Sequence, residues 1–299
     1  MDWGHLRPEA CAVAARSAPE RLAHLRASHW IGYGRASQAL AQLEEMLAYE
    51  PGQVRPRNLL IVGPTNNGKT MIAERFRRAH PARAPRGGRR ETVPVLPVQM
   101  PPAPTVARFH AAVLAALGTA VGFRGEAARM EGLALGLLRE AGCRMLLIDE
   151  LHNLLAATAQ RQRELLNLTR FLGNELGIPL VCLGTRDAYL AIRSDDQLEN
   201  RFHPLPLPPW EDDAEFGRLL ASFEAVLPLR EPSQLGAPAM RELVMRRSEG
   251  TIGEVAALLA AAARTALLAG RERIDAGVIE AADYRPPSAR RRLLERELR

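Results

Sequence analysis

The chain has 299 residues, is 47% hydrophobic and 25% charged, and carries a formal net charge of +6. This length and composition suit a globular protein of one large or two modest domains. No apolar run of about 18 residues occurs, and no signal-peptide core lies near the start, so we expect neither a membrane span nor secretion. The basic charge permits nucleic-acid binding without predicting it. The three scattered cysteines are interpreted as buried thiols in a reducing cytoplasm.

The chain opens with a polar region that we interpret as an N-terminal arm covering residues 1–28. Residues 29–34 (HWIGYG) are aromatic and turn-rich, and they precede a helix predicted over residues 35–49. This aromatic segment either packs on an adenine base or anchors the first helix as part of a core. The residues alone leave both interpretations open.

A strand, a glycine-containing loop and a helix then follow one another. Four apolar residues precede GPTNNGKT, which fits G-x-x-x-x-G-K-[ST] in the order that a phosphate-binding loop requires. Backbone N–H groups and a helix N-terminus bind phosphate in such loops. Lys69, the only lysine in the chain, is predicted to reach the β- and γ-phosphates, and Thr70 to ligate Mg²⁺. The predicted ATP-binding residues are Gly63, Pro64, Thr65, Asn66, Asn67, Gly68, Lys69, Thr70 and Met71.

The next apolar segment, residues 92–100, contains Pro94 and Pro97. Because proline donates no hydrogen bond to a neighbouring strand, we expect an edge strand or an interrupted one. Helices are predicted over residues 105–117, capped by Thr105, and over residues 126–140.

A second anchor is the segment RMLLIDE at residues 144–150. An apolar run that ends in two carboxylates is typical of a central parallel strand. In a phosphate-loop fold this is the Walker B position, where Asp149 is expected to hold Mg²⁺ and Glu150 to polarise the attacking water. His152, which follows in the sequence DELH, is interpreted as a local helix or loop residue.

A long amphipathic helix is predicted over residues 160–176, ending at Gly177. The apolar strand at residues 178–184 that follows ends at Thr185. Thr185 either contacts the γ-phosphate or the attacking water (the sensor-1 role) or simply caps the strand end.

The remainder of the chain changes from alternating strands and helices to helices alone. A short helix at residues 187–192 and a last strand at 202–207 complete the first region, which prolines end. Helices are predicted at residues 212–227, 237–248, 252–269 and 275–284, followed by a basic tail. Together these elements predict an α/β fold, a doubly wound parallel sheet with a C-terminal all-α lid. The predicted domains are an arm (1–28), a nucleotide-binding domain (29–209), a lid (210–285) and a tail (286–299).

The order GPTNNGKT, LLIDE, LGT, ENRF and helical lid resembles the AAA+ ATPases. More narrowly, NLLIVGPTNNGKTMIAERFRRAHP, LLIDELHNLLA and DDQLENRF are similar to TniB, a bacterial transposition ATPase related in role to TnsC, MuB and IstB. The resemblance implies a cytoplasmic ATPase that uses ATP and Mg²⁺, binds double-stranded DNA and forms rings or helical filaments. It also implies two partners, a DDE transposase (TniA-like) and a TniQ-like target-selection protein.

The resemblance further assigns roles to single residues. Lys69 and Thr70 carry Walker A, Asp149 and Glu150 carry Walker B, and Thr185 holds the sensor-1 place. Arg201 in ENRF takes the place of an arginine finger that reaches the ATP of a neighbouring subunit; a salt bridge to nearby acids is the alternative role, and Arg193 is the reserve candidate.

No sensor-2 arginine is assigned. Arg124 and Arg129 are the candidate DNA contacts, with the basic loop at residues 83–90 as a rival. A helicase-loader or replication-initiator ATPase is the alternative function.

Overall fold

The computed structural model describes residues 3–27, 29–49, 56–84, 91–119 and 127–298. The chain divides into two compact units. One comprises Gln38–Pro208, and the other combines Met1–Ser37 with Pro209–Arg299. This grouping differs from the predicted domains, because the segment before residue 38 belongs with the C-terminal helices.

The larger unit is built on one sheet of five parallel strands in the order β2-β3-β4-β1-β5. The strands are β1 Asn58–Val62, β2 Val95–Gln99, β3 Met145–Asp149, β4 Leu180–Gly184 and β5 Phe202–Pro206. The three inner strands are apolar and buried almost throughout, as strands covered on both faces should be.

Prolines lie only in the two edge strands of this sheet. Pro97 is in β2, and Pro204 and Pro206 are in β5. An edge strand tolerates the missing N–H donor on its open side, so the predicted edge position of residues 92–100 is confirmed.

Helices connect the strands and bury the sheet. They are α3 Gly34–Ala48, α4 Lys69–Ala79, α5 Val106–Ala116, α6 Ala127–Glu140, a 3₁₀ helix at Leu151–Ala156, α7 Ala159–Leu176, α8 Arg186–Arg193 and α9 Asp196–Glu199. Thr105 caps α5 by accepting the Arg108 N–H at 3.2 Å. Gly177 ends α7 in the left-handed conformation, for which glycine has no steric cost.

The smaller unit contains helices and loops but no strand among its described residues. Its helices are α1 Pro8–Ala14, α2 Ala18–His24, α10 Ala214–Glu224, α11 Pro238–Ser248, α12 Ile252–Leu268, α13 Ala276–Ala281 and α14 Pro287–Glu297. The predicted fold class, a doubly wound parallel sheet with a helical C-terminal region, is therefore confirmed.

Buried polar contacts explain why the N-terminal segment groups with the C-terminal helices. The guanidinium of Arg21 is 3% exposed, donates to the carbonyl of Pro228 at 2.8 Å and pairs with Glu272. Within the same unit, Ile31 lies in the apolar core and Tyr33 packs edge-on against Trp210 at 5.2 Å. These contacts match the core-anchoring interpretation of the aromatic segment.

Within the described ranges, no single helix is long and apolar enough to cross a bilayer. The pair α11 and α12, bent by 111°, passes that test jointly on length and composition.

Candidate functional site

The loop between β1 and α4 is fixed by close backbone contacts. A Cβ added to Gly63 would lie 2.5 Å from the carbonyl oxygen of Leu207, so only glycine fits there. The N–H of Gly63 donates to the carbonyl of Gly184 at 3.1 Å. Asn66 and Gly68 both have positive φ, at 61° and 83°, which turns the loop back towards the start of α4.

Asn67 anchors this loop from inside. Its side-chain amide donates to the carbonyl oxygens of Leu207 at 2.8 Å and Pro208 at 3.0 Å, and the residue is 3% exposed. The side chain therefore joins the loop to the segment after β5.

Lys69 begins α4 and is 8% exposed. Its ammonium donates to the carbonyls of Gly63 at 2.8 Å and Pro64 at 2.7 Å, within the loop itself. Burial lowers the pKa of Lys69 from its ordinary value, and the negative charges of Asp149 and Glu150 oppose that shift. The ammonium thus lies inside the loop with both predicted Walker B carboxylates close enough to act on it.

Thr70 and Asp149 meet at the carboxyl end of the sheet. The Thr70 hydroxyl donates to an Asp149 carboxylate oxygen at 2.6 Å. This contact forms although β4 lies between β3, which ends at Asp149, and β1, which leads to the loop before Thr70. Parallel strands end at the same edge, which explains how residues 79 positions apart touch. A hydroxyl and a carboxylate oxygen in contact form the oxygen donor set that Mg²⁺ takes, so these residues fit the predicted metal.

Glu150 turns sharply out of β3 with φ 57° and ψ 37°, an uncommon conformation for a residue with a side chain. Its N–H donates to Asp149 Oδ1 at 2.7 Å. Its carboxylate oxygen lies 3.0 Å from His152 Nε2, while His152 Nδ1 is buried without a hydrogen-bond partner among the described residues.

His152 lies in the 3₁₀ helix, as the predicted local helix or loop position allows, and it also contacts Glu150. The turn at Glu150 and the 3₁₀ helix fold His152 back onto the carboxylate. In the sequence, the sole indication of this contact is that Glu150 and His152 are two residues apart. That spacing predicts a contact only when the turn at Glu150 is already known.

Thr185 follows β4 at the same edge of the sheet. Its hydroxyl oxygen is buried without a partner among the described residues and makes no capping hydrogen bond to α8. Thr185 occupies the N-cap position of α8 directly after β4, so its place also agrees with a cap at the strand end, and its role stays a prediction. A buried polar oxygen next to this loop remains available for a phosphate or a water.

Arg201 lies at the amino ends of the strands, whereas Lys69, Thr70 and Asp149 lie at their carboxyl ends. It immediately precedes β5, which starts level with Asn58 in the neighbouring β1, whereas Lys69 follows the far end of β1. A five-residue strand spans roughly 16 Å, so Arg201 does not join the Lys69 site of its own chain. The Arg201 guanidinium donates to the Asn174 side-chain oxygen at 2.7 Å.

The other predicted cations are placed as follows. The reserve candidate Arg193 pairs with Glu199 at 3.6 Å. Arg129 is exposed in the first turn of α6, and Arg124 lies outside the described residues. Of the rival basic loop, Arg83 forms an antiparallel bridge with Thr92, and residues 85–90 lie outside the described residues.

Solved structures with this fold include ORC and Cdc6 proteins and a Holliday junction branch migration motor. Aeropyrum pernix ORC2, solved in ADPNP-ADP complexes, superposes with a TM-score of 0.60 at 18% identity, covering 86% of this chain and 70% of that one. Pyrobaculum aerophilum Cdc6p gives 0.60 at 17% identity, covering 84% and 67%. The Thermotoga maritima RuvB Holliday junction branch migration motor gives 0.51 at 17% identity, covering 86% and 72%.

At these identities the likeness shows the fold alone, that of the AAA+ P-loop ATPases. No match was found among curated proteins. The family model described as bacterial TniB protein matches residues 21–212, well over half of the chain. The chain belongs to the TniB family.

Proposed function

We propose that this protein is an ATP-dependent DNA-binding protein of transposition, which assembles on target DNA and recruits or activates a DDE transposase. The observation that carries the proposal is the meeting of Lys69, Thr70 and Asp149 at one edge of the sheet in a chain of the TniB family. ATP hydrolysis then drives disassembly.

Each residue of the site has a task in this reaction. The Lys69 ammonium exchanges its loop carbonyls for the β- and γ-phosphate oxygens, and the loop N–H groups bind the phosphates. Thr70 and Asp149 hold Mg²⁺, which supplies positive charge against the phosphate oxygens. Both residue types and their contact support this assignment.

Glu150 is the general base. A water oxygen bonds to the γ-phosphorus as the bond from that phosphorus to the β,γ-bridging oxygen breaks, and Glu150 receives the water proton. ATP and water give ADP and inorganic phosphate. In this proposal Thr185, whose hydroxyl has no hydrogen-bond partner among the described residues, orients the water or the γ-phosphate.

The position of Arg201 supports a site that a second copy of the chain completes. Since Arg201 lies at the far end of the strands from its own Lys69, it serves as an arginine finger only towards another subunit. Head-to-tail contacts of this kind produce rings or helical filaments. ATP bound at such a contact favours assembly because it binds the assembled state better.

DNA binding in this proposal depends on phosphate contacts from arginines, with Arg124 and Arg129 as candidates. Such contacts give little base readout and a strong salt dependence. The partners proposed beyond DNA are a TniA-like transposase and a TniQ-like target-selection protein. The likeness to ORC and Cdc6 structures is one of fold and does not favour a helicase-loader or initiator function.

The test combines hydrolysis, DNA binding and recruitment. Phosphate release is measured with and without double-stranded DNA. DNA binding is measured by fluorescence anisotropy in the presence of ATP, ADP or a nonhydrolysable analogue. Assembly is observed by electron microscopy. The proposal expects DNA binding that requires the triphosphate, and ATP-dependent capture of the transposase on that DNA. DNA binding that is equal with ADP and ATP contradicts it.

A further inference from the structure

A polar cavity of about 450 Å³ opens at the amino ends of β1 and β5, on the edge of the sheet opposite the phosphate loop. Its lining residues are Pro56, Arg57, Gln197, Asn200, Arg201 and His203. Two are arginines, one is a histidine and none is acidic. Arg57 lies in no sequence motif, so sequence reasoning did not single it out.

The sheet register explains why Arg57 accompanies Arg201. Asn58 pairs with Phe202, so Arg57 and Arg201 each come one residue before paired positions of adjacent parallel strands. The Asn58 N–H donates to the Arg201 carbonyl at 3.1 Å, which fixes the two backbones together at this point. His203 is two residues after Arg201, and side chains two apart in a strand share a face.

The nearby acids do not neutralise this pair of arginines through the contacts found in the described residues. Glu199 pairs with Arg193 at 3.6 Å. Asp195 caps α9 by accepting the N–H groups of Gln197 and Leu198. Arg201 itself binds a neutral amide oxygen. Like charges in neighbouring strand positions are destabilising, and an anion between the guanidinium groups removes that repulsion.

We propose that this cavity, which we call the two-arginine pocket, binds the γ-phosphate of ATP held by a second copy of the chain, with Arg57 as a second cation beside Arg201. This inference rests on the proposed function, because it needs the nucleotide to lie between subunits. Guanidinium groups bind phosphate oxygens through paired, directional N–H donors, so two of them hold a phosphoryl group in one orientation. DNA phosphate shares this chemistry, and the experiment separates the two sources.

The first measurement compares Arg57→Gln with Arg218→Gln, a matched change at an exposed arginine of the other unit. In DNA-free assays at a protein concentration that gives assembly, Arg57→Gln should lower kcat about 10- to 100-fold, the range for loss of one charged hydrogen bond. As a dilute monomer, the Arg57→Gln protein should bind a fluorescent ATP analogue with the wild-type Kd. The Arg57→Lys variant should recover part of the lost kcat. Wild-type turnover by Arg57→Gln overturns the proposal.

The second measurement tests action on the neighbour. Arg57→Gln retains its phosphate loop, and Lys69→Ala retains Arg57 and Arg201, so mixing the two impaired variants rebuilds complete sites at half of the mixed contacts. Turnover should rise on mixing; the absence of any rise overturns the proposal.

Loss of DNA affinity at unchanged DNA-free turnover also overturns it, and assigns the pocket to DNA phosphate instead. Failure of the proposed function can be distinguished from failure of this inference by the wild-type protein. That protein would then have no ATPase activity, or its turnover per subunit would not depend on protein concentration.

Discussion

Replacing Gly63 by alanine tests how tightly the phosphate loop is built against the segment after β5. The new Cβ lies 2.5 Å from the Leu207 carbonyl oxygen and 3.1 Å from Leu207 Cβ. Leu207 has little freedom to retreat, because its N–H donates to Val62 at 2.6 Å and its carbonyl accepts the Asn67 amide at 2.8 Å. Gly63 itself has no positive φ, so the cost is steric.

The magnitude follows from these contacts. Overpacking costs about 1–3 kcal/mol, and weakening the Asn67 hydrogen bond adds about 1 kcal/mol. The free energy of unfolding should therefore fall by about 2–4 kcal/mol. For a unit of this size, each kcal/mol lowers Tm by about 2–4 °C, which gives a decrease of roughly 5–15 °C.

Thermal and urea unfolding of the full chain measure this change. The control is Gly132→Ala in α6, where no atom lies within 4 Å of the added Cβ; this helical site should gain about 0.5–1 kcal/mol. Because the same contact shapes the loop, Gly63→Ala should also lose the Tm increase that saturating ATP gives the wild-type protein. A Gly63→Ala protein that unfolds like wild type refutes the steric argument.

Three further substitutions test the chemistry of the site. Lys69→Ala should abolish ATP binding, measured with a fluorescent analogue, and with it ATP-dependent DNA binding; full DNA binding by this variant without nucleotide contradicts the coupling. Glu150→Gln should bind ATP yet hold long-lived DNA complexes, so rapid dissociation under ATP counts against hydrolysis as the trigger of disassembly. His152→Ala should lower kcat by up to about 100-fold through misplacement of the Glu150 carboxylate while KM changes little, and His152→Gln, whose amide still donates, should lose less. A raised KM at unchanged kcat assigns His152 a different role.

The local parts of the site were predictable because short-range chemistry determines them. Glycines at forced turns, one ammonium and a strand that ends in carboxylates define the phosphate loop and Asp149 within a few residues each. The prolines of β2 likewise predicted an edge strand, since a missing N–H donor excludes a central position.

Features that depend on distant pairing were not predictable from single segments. Arg57 becomes a neighbour of Arg201 only through the β1–β5 register. Arg21 belongs with the C-terminal helices through the carbonyl of Pro228, 207 positions away in the chain. The contact between His152 and Glu150 needs a left-handed turn at a glutamate, which residue preferences argue against.

Lys69 and Arg201 lie at opposite ends of the strands of one sheet, and this separation determines how the number of complete sites depends on the form of the assembly. If each complete site needs two copies, an open filament of n subunits contains n − 1 complete sites, because one terminal subunit lacks a neighbour's arginines. A closed ring of n subunits contains n. Turnover per subunit should therefore follow (n − 1)/n in open filaments and approach its limit gradually with length, whereas in closed rings every subunit has a complete site and turnover per subunit is at its limit. Measuring turnover against length distributions from electron microscopy distinguishes these two forms. Turnover that is unchanged in fully monomeric protein would mean that the site is complete within one chain, against the geometry of β1 and β5.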